Sequence, residues 1–268
     1  MDYSRSYAAS YQMVPVLDGW HDGEPIVPTS MSVNADGTES SPLLTSATAS
    51  WSGAAWAVPS GLFRFECLAR QRGGLSRTAL GAYYLTRTDA EHHSGGVDCS
   101  FEGRSVLAPA ADEDVPAGTY APRGSDAATW AAGMLSVCQA PVSVHGRAVL
   151  ADHVVVGDGT SRLDAAWAAL RAVGWRIRLG WDGGIHIEPL PQSPSLTIDE
   201  QESHGIRPTV SERDGVVTYV RDWADGVHVG DVVRLDLPRI GIVGTYRIES
   251  QSVEVGGGLA VTEKARRL

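Results

Sequence analysis

Lysine is almost absent from this chain of 268 residues: Lys264 is the single one, so 21 of the 22 basic residues are arginine. A phosphate-binding loop ending in Gly-Lys-(Ser/Thr) is thereby excluded, because Ala265 follows that lysine. Cysteine is scarce as well. Cys67, Cys99 and Cys138 are odd in number, far apart and without a Cys-x-x-Cys pair. Neither a disulfide framework nor a zinc ribbon is indicated, and buried free thiols are expected. Residues 1–14 lack the basic and apolar regions of a secretion signal, and no apolar run reaches the roughly 18 residues of a membrane span. Export and stable membrane insertion are therefore not expected. Basic charge is outweighed, since 22 Lys and Arg against 32 Asp and Glu leave −10 with histidine neutral. A surface of that sign repels a nucleic-acid backbone instead of neutralising it.

Complete catalytic motifs are also lacking. No Gly-x-Ser-x-Gly elbow and no His-Glu-x-x-His occur. His92 and His93 are adjacent, so on a strand they point to opposite faces and cannot chelate one ion; solvent-facing turn histidines are expected. Asp112-Glu113-Asp114 resembles the start of a calcium loop, but Pro116 and Ala117 occupy its fifth and turn positions, which leaves a solvated acidic linker. Gly157-Asp158-Gly159 reads as a turn, without the third glycine of a nucleotide loop. Asp199, Glu200 and Glu202 form a charged loop or edge more readily than a glycosidase pair. Eight tryptophans (20, 51, 56, 130, 167, 175, 181 and 223) are scattered, as core or interface anchors are. No catalytic, cofactor-binding or metal-ligating residue is assigned.

What is present is turn-rich: 30 Gly and 14 Pro punctuate a chain that is 43% apolar. From residue 11 to 107 short strands are expected, over residues 12–17 and 25–33, with the Asn34-Ala35-Asp36-Gly37 cluster supplying a turn. Residues 62–68, 83–86 and 97–102 alternate in period two, as half-buried antiparallel strands do. Residues 108–124 read as a linker. A helix over 127–139 follows, capped by Ser125 with Asp126 near its positive end. A second starts at Thr160 or Ser161. It brings Leu163, Ala166, Trp167 and Leu170 to one buried face, turns Arg162 and Arg171 outward, and stops at Gly174. Residues 175–188 spell strand, tight turn, strand, and strands resume over 196–199, 205–211, 216–220, 232–237 and 246–255. The pattern Gly-x-Tyr-x-(Leu/Ile)-x5-Glu occurs twice, at Gly81, Tyr83, Leu85 and Glu91 and again at Gly244, Tyr246, Ile248 and Glu254. Equivalent strands of two superposable barrels would explain the echo.

The segment GDGTSRLDAAWAALRAVGWRIRLGWDGGIHIEP (157–189) resembles a recurring stretch of bacteriophage tail hub proteins, a short helix ending at Gly and leading into a hairpin that turns on Asp-Gly. Residues 230–250 (GDVVRLDLPRIGIVGTYRIES) are similar to the last barrel of that group, and residues 61–107 resemble its first. The resemblance implies a mainly β fold, two tail-tube-like β-barrel domains with an inserted small α+β module. The implied divisions are an N-terminal arm and first barrel (1–110), a linker and helix-containing module (111–192) and a second barrel (193–268). It further implies a homotrimeric, non-enzymatic virion protein of the tail tip or baseplate hub, made in the bacterial host cytoplasm. Two barrels per subunit would match a sixfold tube, and an acidic channel would let DNA pass without specific binding. Implied neighbours are a tail tube or distal tail protein above and tape measure and tip or fibre proteins below; no cofactor is implied. Residues 1–11 hold three Tyr, and a neighbouring subunit is expected to hold that arm. A hexameric distal-tail or tube protein and a β-rich hydrolase of a cell-wall polymer stay open as alternatives.

Overall fold

The computed structural model describes residues 8–38, 41–53, 61–71, 74–199, 207–223, 226–255 and 259–268. The fold is mainly β, and among the described residues 13 strands belong to one sheet. The first seven are β1 (Ala8–Leu17), β2 (His21–Asp22), β3 (Ser30–Thr38), β4 (Ser41–Gly53), β5 (Gly61–Gln71), β6 (Gly74–His93) and β7 (Gly96–Ser105). They pair in the order β3-β4-β7-β6-β5-β1-β2, antiparallel throughout. Period-two alternation sends Phe63, Phe65 and Cys67 to one face. There they meet Met13, Met31, Val33, Leu80, Tyr83, Leu85 and Phe101 from the neighbouring strands, so the sheet curls around its own core. Each fully buried Phe or Leu contributes roughly 1.5–3 kcal/mol relative to an exposed one.

Between residues 108 and 190 lies the helix-containing part, with α1 (Ala108–Asp112), β8 (Tyr120–Ala121), α2 (Ala127–Met134), β9 (Val142–Val144), β10 (Val154–Val155), α3 (Arg162–Arg171), β11 (Trp175–Leu179) and β12 (Ile185–Pro189). The side chains of Asp112, Glu113 and Asp114 are exposed, as a solvated stretch requires, but residues 108–112 form a helix where a linker is expected. Ala108 and Ala110 are buried, Asp112 makes two hydrogen bonds with Arg104 at 2.7 and 2.8 Å, and Glu113 pairs with Arg162 at 2.6 Å. Asp126, not Ser125, caps α2, accepting from the Ala128 N–H; the Ser125 hydroxyl donates to the Pro122 carbonyl. The helix gives way to a 3-10 turn at Leu135, short of residue 139. Ser161 caps α3 as expected, and Gly174 takes a positive φ of 68° just beyond its end. Leu163, Ala166 and Leu170 are buried, but Trp167 is only half-buried, with the Arg171 guanidinium 5.1 Å above its ring.

The last strands are β13 (Leu196–Asp199), β14 (Arg207–Arg213), β15 (Val216–Asp222), β16 (Val232–Leu237), β17 (Ile242–Val255) and β18 (Leu259–Arg267). They order as β13-β16-β17-β18-β15-β14 around a second core that includes Val217, Tyr219, Val233, Leu235, Tyr246 and Ile248. Inside it Arg221 and Glu263 are both buried and ion-paired, with Nε to Oε2 at 3.0 Å, and Gln251 donates to the same carboxylate at 2.7 Å. Satisfying each other's hydrogen bonds is what makes two buried charges tolerable there.

Three parts meet at the β11–β12 turn. The Gly81 N–H donates to the Trp181 carbonyl at 2.7 Å, and Gly183 (φ 89°) lies so close to β6 that an added Cβ would come within 2.5 Å of the Ala82 Cβ. Trp181 packs on Trp223 and stacks on His228, ring centroids 4.6 and 5.3 Å apart. A buried cluster ties the parts further: the Arg176 guanidinium reaches Glu188 at 2.7 Å and Asp231 at 2.6 Å and donates to the Val229 carbonyl. Burial and the nearby Arg178 and Arg176 charges lower the His228 pKa from 6.5 to about 3, so the ring is neutral in the fold.

Two outcomes are expected. Leu170→Ala should cost about 2–5 kcal/mol in urea unfolding, and Trp167→Ala less than that, because its ring is half in solvent. The neutral His228 must resist a proton that the unfolded chain accepts below about pH 6.5, so stability falls as pH drops from 7 towards 4. Melting curves of His228→Gln should show a shallower loss between pH 7 and 5 than the parent; parallel slopes would contradict the assignment.

Candidate functional site

The two sheet units repeat one pairing scheme. In the first, β6 is the middle of β5–β6–β7, with Tyr83 opposite Phe63 on one side and Ser105 on the other. In the second, β17 is the middle of β16–β17–β18, with Tyr246 opposite Val233 and Arg267. The outer neighbours match as well, since β7 continues to β4 and β3 as β18 continues to β15 and β14. Gly81 to Glu91 and Gly244 to Glu254 therefore occupy equivalent strands. The correspondence stops at the last neighbour, for β1 runs antiparallel to β5 whereas β13 runs parallel to β16.

The Gly-x-Tyr echo has a local cause. On a strand, residues i and i+2 share a face, and in both units the tyrosine ring folds back over the glycine. A Cβ on Gly81, whose φ is 105°, would sit 2.5 Å from the Tyr83 hydroxyl, and one on Gly244 would sit 3.4 Å from the Tyr246 ring. Each tyrosine is buried, and the Tyr83 hydroxyl donates to the Leu80 carbonyl at 3.0 Å.

The units are joined by one further pairing. The second half of β17 runs antiparallel to β3, with Ser250 opposite Asp36, Gln251 opposite Ala35, Ser252 opposite Asn34, Val253 opposite Val33 and Glu254 opposite Ser32. The Asn34-Ala35-Asp36-Gly37 cluster, expected as a turn, is thus strand, with Asn34, Ala35 and Asp36 held on one side by β17 and on the other by β4, while Gly37 falls at the register irregularity between Asp36 and Thr38. Pairing on both edges overrides the turn preference of Asn and Asp.

That joint leaves two corresponding edges. The half of β6 that matches the joined half of β17 is residues 87–91, and among the described residues its strand neighbour is β7 alone. Residues 86–93 are all exposed, whereas Gln251 and Val253 are buried. β14, which corresponds to β3, pairs with β15 alone among the described residues.

Residues singled out in the sequence do not converge elsewhere. His92 and His93 close β6 in solvent, the latter 3.4 Å from Asp98. Asp199 ends β13, while Glu200, Glu202 and Trp56 lie outside the described residues. Cys67, Cys99 and Cys138 are free and buried. Among the described residues no three His, Cys, Asp or Glu side chains could together hold a metal ion. A cleft of about 720 Å³ opens between the helix-containing part and the second unit. Trp167 and Trp175 line it with five arginines (171, 176, 247, 266 and 267), and among the described lining residues the single acidic side chain, Glu249, is hydrogen-bonded to Arg266. Such a lining does not supply the carboxylate pair of a glycosidase. The arm expected to be held by a neighbour is partly held within the chain, as Ala8 to Tyr11 pair with β5; residues 1–7 lie outside the described residues.

No protein-family model and no curated protein matches the sequence. Solved structures do. The tail protein from Neisseria meningitidis MC58 aligns with a TM-score of 0.66 at 12% identity, over 98% of this chain and 97% of that one. The 43 kDa tail protein of prophage MuSo2 from Shewanella oneidensis aligns at 0.64 and 9% identity, over 97% and 98%. The prophage tail protein gp18 from Listeria monocytogenes aligns at 0.52 and 7% identity, over 95% and 94%. From first strand to last, the chain has the fold of phage and prophage tail proteins.

Proposed function

We propose that the protein is a non-enzymatic structural subunit of a bacteriophage tail, a homotrimeric hub ring at the tail tip that adapts a sixfold tube to a threefold tip. The observation that carries this reading is the repeated pairing scheme, two equivalent sheet units in one continuous sheet. Three copies place six such units around an axis, so each can meet one position of a sixfold tube while the chain itself obeys threefold symmetry. In this reading residues 1–110 are the arm and first barrel, 111–192 the helix-containing module and 193–268 the second barrel. A tail tube or distal tail protein docks above, and tape measure and tip or fibre proteins below. The net charge of −10 suits a channel that lets DNA pass without holding it.

Native mass measurement of the purified chain tests the ring. Three copies of 28.4 kDa, about 85 kDa, are expected; six copies would favour a distal-tail or tube role, and a monomer that degrades a wall polymer would favour the hydrolase. Duplex DNA should not be retarded by the ring even at low salt, where electrostatic binding is strongest. Retardation that weakens as salt rises would contradict the channel.

A further inference from the structure

We infer that a second copy of this chain docks edge to edge on residues 87–91 of β6, and that it does so with β14, antiparallel and with Asp89 facing Arg213. The inference rests on the ring reading for its biological setting, but its residues follow from the strand registers alone.

The transfer proceeds strand by strand. Leu85 faces Gly103 and Ile248 faces Ala265; Glu91 faces Asp98 and Glu254 faces Ala260. Matching Leu85 to Ile248 therefore matches Glu91 to Glu254, and each strand absorbs one irregularity in between without losing the correspondence. On the other flank, Arg104 faces Ser46 and Arg266 faces Val216. Ser46 in turn faces Asn34, and Val216 faces Arg213. Asn34 thus corresponds to Arg213, Val33 to Glu212 and Ser32 to Ser211.

Within the chain, Ser252 faces Asn34, Val253 faces Val33 and Glu254 faces Ser32. Their counterparts are Asp89 with Arg213, Ala90 with Glu212 and Glu91 with Ser211. Opposite charges fall directly across from each other in the first of these pairs, a favourable cross-strand arrangement that the transfer was not built to produce. Slipping β14 by two residues one way would set Arg87 against Arg213. Slipping it the other way would set Glu91 there and keep the charges opposed, so that register is distinguished by the strand correspondence alone. A one-residue slip would exchange the faces.

Among the described residues neither edge has a further strand partner. The Asp89 carboxylate accepts from the Ala90 N–H at 2.8 Å, and Arg213 lies 3.5 Å from the exposed Asp214, contacts that the proposed pairing would exchange. Asp89, Ala90, Glu91, Ser211, Glu212 and Arg213 are all exposed. The same half-strand in the second unit, when covered by β3, buries Gln251 and Val253. An uncovered strand edge is a template for another chain, and here donor and acceptor edges differ, so the contact is head-to-tail. Head-to-tail contacts close into a ring when the rotation permits, with the β17–β3 joint and the β6–β14 joint alternating around it.

Paired cysteines in one chain test the register. Ala90→Cys with Glu212→Cys, and Asp89→Cys with Arg213→Cys, sample two adjacent pairs, of which one has the shorter cross-strand spacing suited to a disulfide. Mild oxidation of the full-length protein should give a reducible ladder of linked chains for at least one of them. His92→Cys with Glu212→Cys, one two-residue slip away, should give none. Asp89→Arg should weaken association at least about tenfold, and adding Arg213→Asp should restore it. Assembly without cross-links in either in-register pair, or cross-links in the slipped pair, would overturn the inference while leaving the ring standing. In-register cross-links in a ladder that closes at six copies, or runs on into filaments, would uphold the edge and overturn the trimeric hub. Chains that stay monomeric at high concentration, with no cross-link, would overturn both.

Discussion

Backbone hydrogen bonding along β17 is the constraint on which the rest of this molecule depends. One strand of 14 residues serves β18 along one edge and, along the other, β16 with its first half and β3 with its second. A buried strand edge without partners would leave donors and acceptors out of water, so the two sheet units cannot part without exposing that debt. Residues that favour turns are drawn into strand by it, as Asn34 and Asp36 are. The same physics makes the remaining edges consequential, because β6 and β14 present what β17 and β3 have already satisfied.

The helix-containing part is fastened to this frame by contacts that require particular residues. Gly183 allows the hairpin tip to approach β6, and Arg176 joins β11 to β12 through Glu188 and to the second unit through Asp231. The Glu188 carboxyl, although half-buried, is held below its ordinary pKa by Arg178 and Arg176, which outweigh the opposing effect of burial. Charge is thus placed where it is matched. Arg266 and Glu249 repeat the device at the cleft rim, where exposure to solvent screens the pair.

Much of the β framework was legible in the sequence because alternation and turn residues agree with the tertiary fold at residues 83–86, 97–102 and 232–237. Residues 62–68 form the expected strand, but Leu62 and Glu66 on its second face are buried as well, so it is not half-buried. The α3 start was legible to within one residue, since Thr160 and Ser161 both have cap chemistry; the structure selects Ser161, whose hydroxyl accepts from the Asp164 N–H and donates to its carboxylate. The echo of Gly, Tyr and aliphatic residues marked the equivalent strands, since ring-over-glycine packing leaves a pattern at i and i+2. Other features left no local trace. Nothing in Asn34-Ala35-Asp36-Gly37 announces a partner more than 200 residues away, and the order of Ala108 to Asp112 depends on helix packing and on Arg104 and Arg162. Trp167 obeys helical periodicity, yet its place at a cleft rim is decided by the neighbouring unit. The edges of β6 and β14 were illegible for the same reason: whether a strand is covered depends on what else folds beside it.

A high-resolution reconstruction of the assembled particle tests the central claim most directly, since it resolves both the copy number and the strand joints. The account predicts threefold symmetry with six alternating sheet units, the β17–β3 joint within each chain and the β6–β14 joint between chains, with Asp89 beside Arg213. Six chains around the axis, or a β6 edge left open to solvent in the assembled ring, would contradict it.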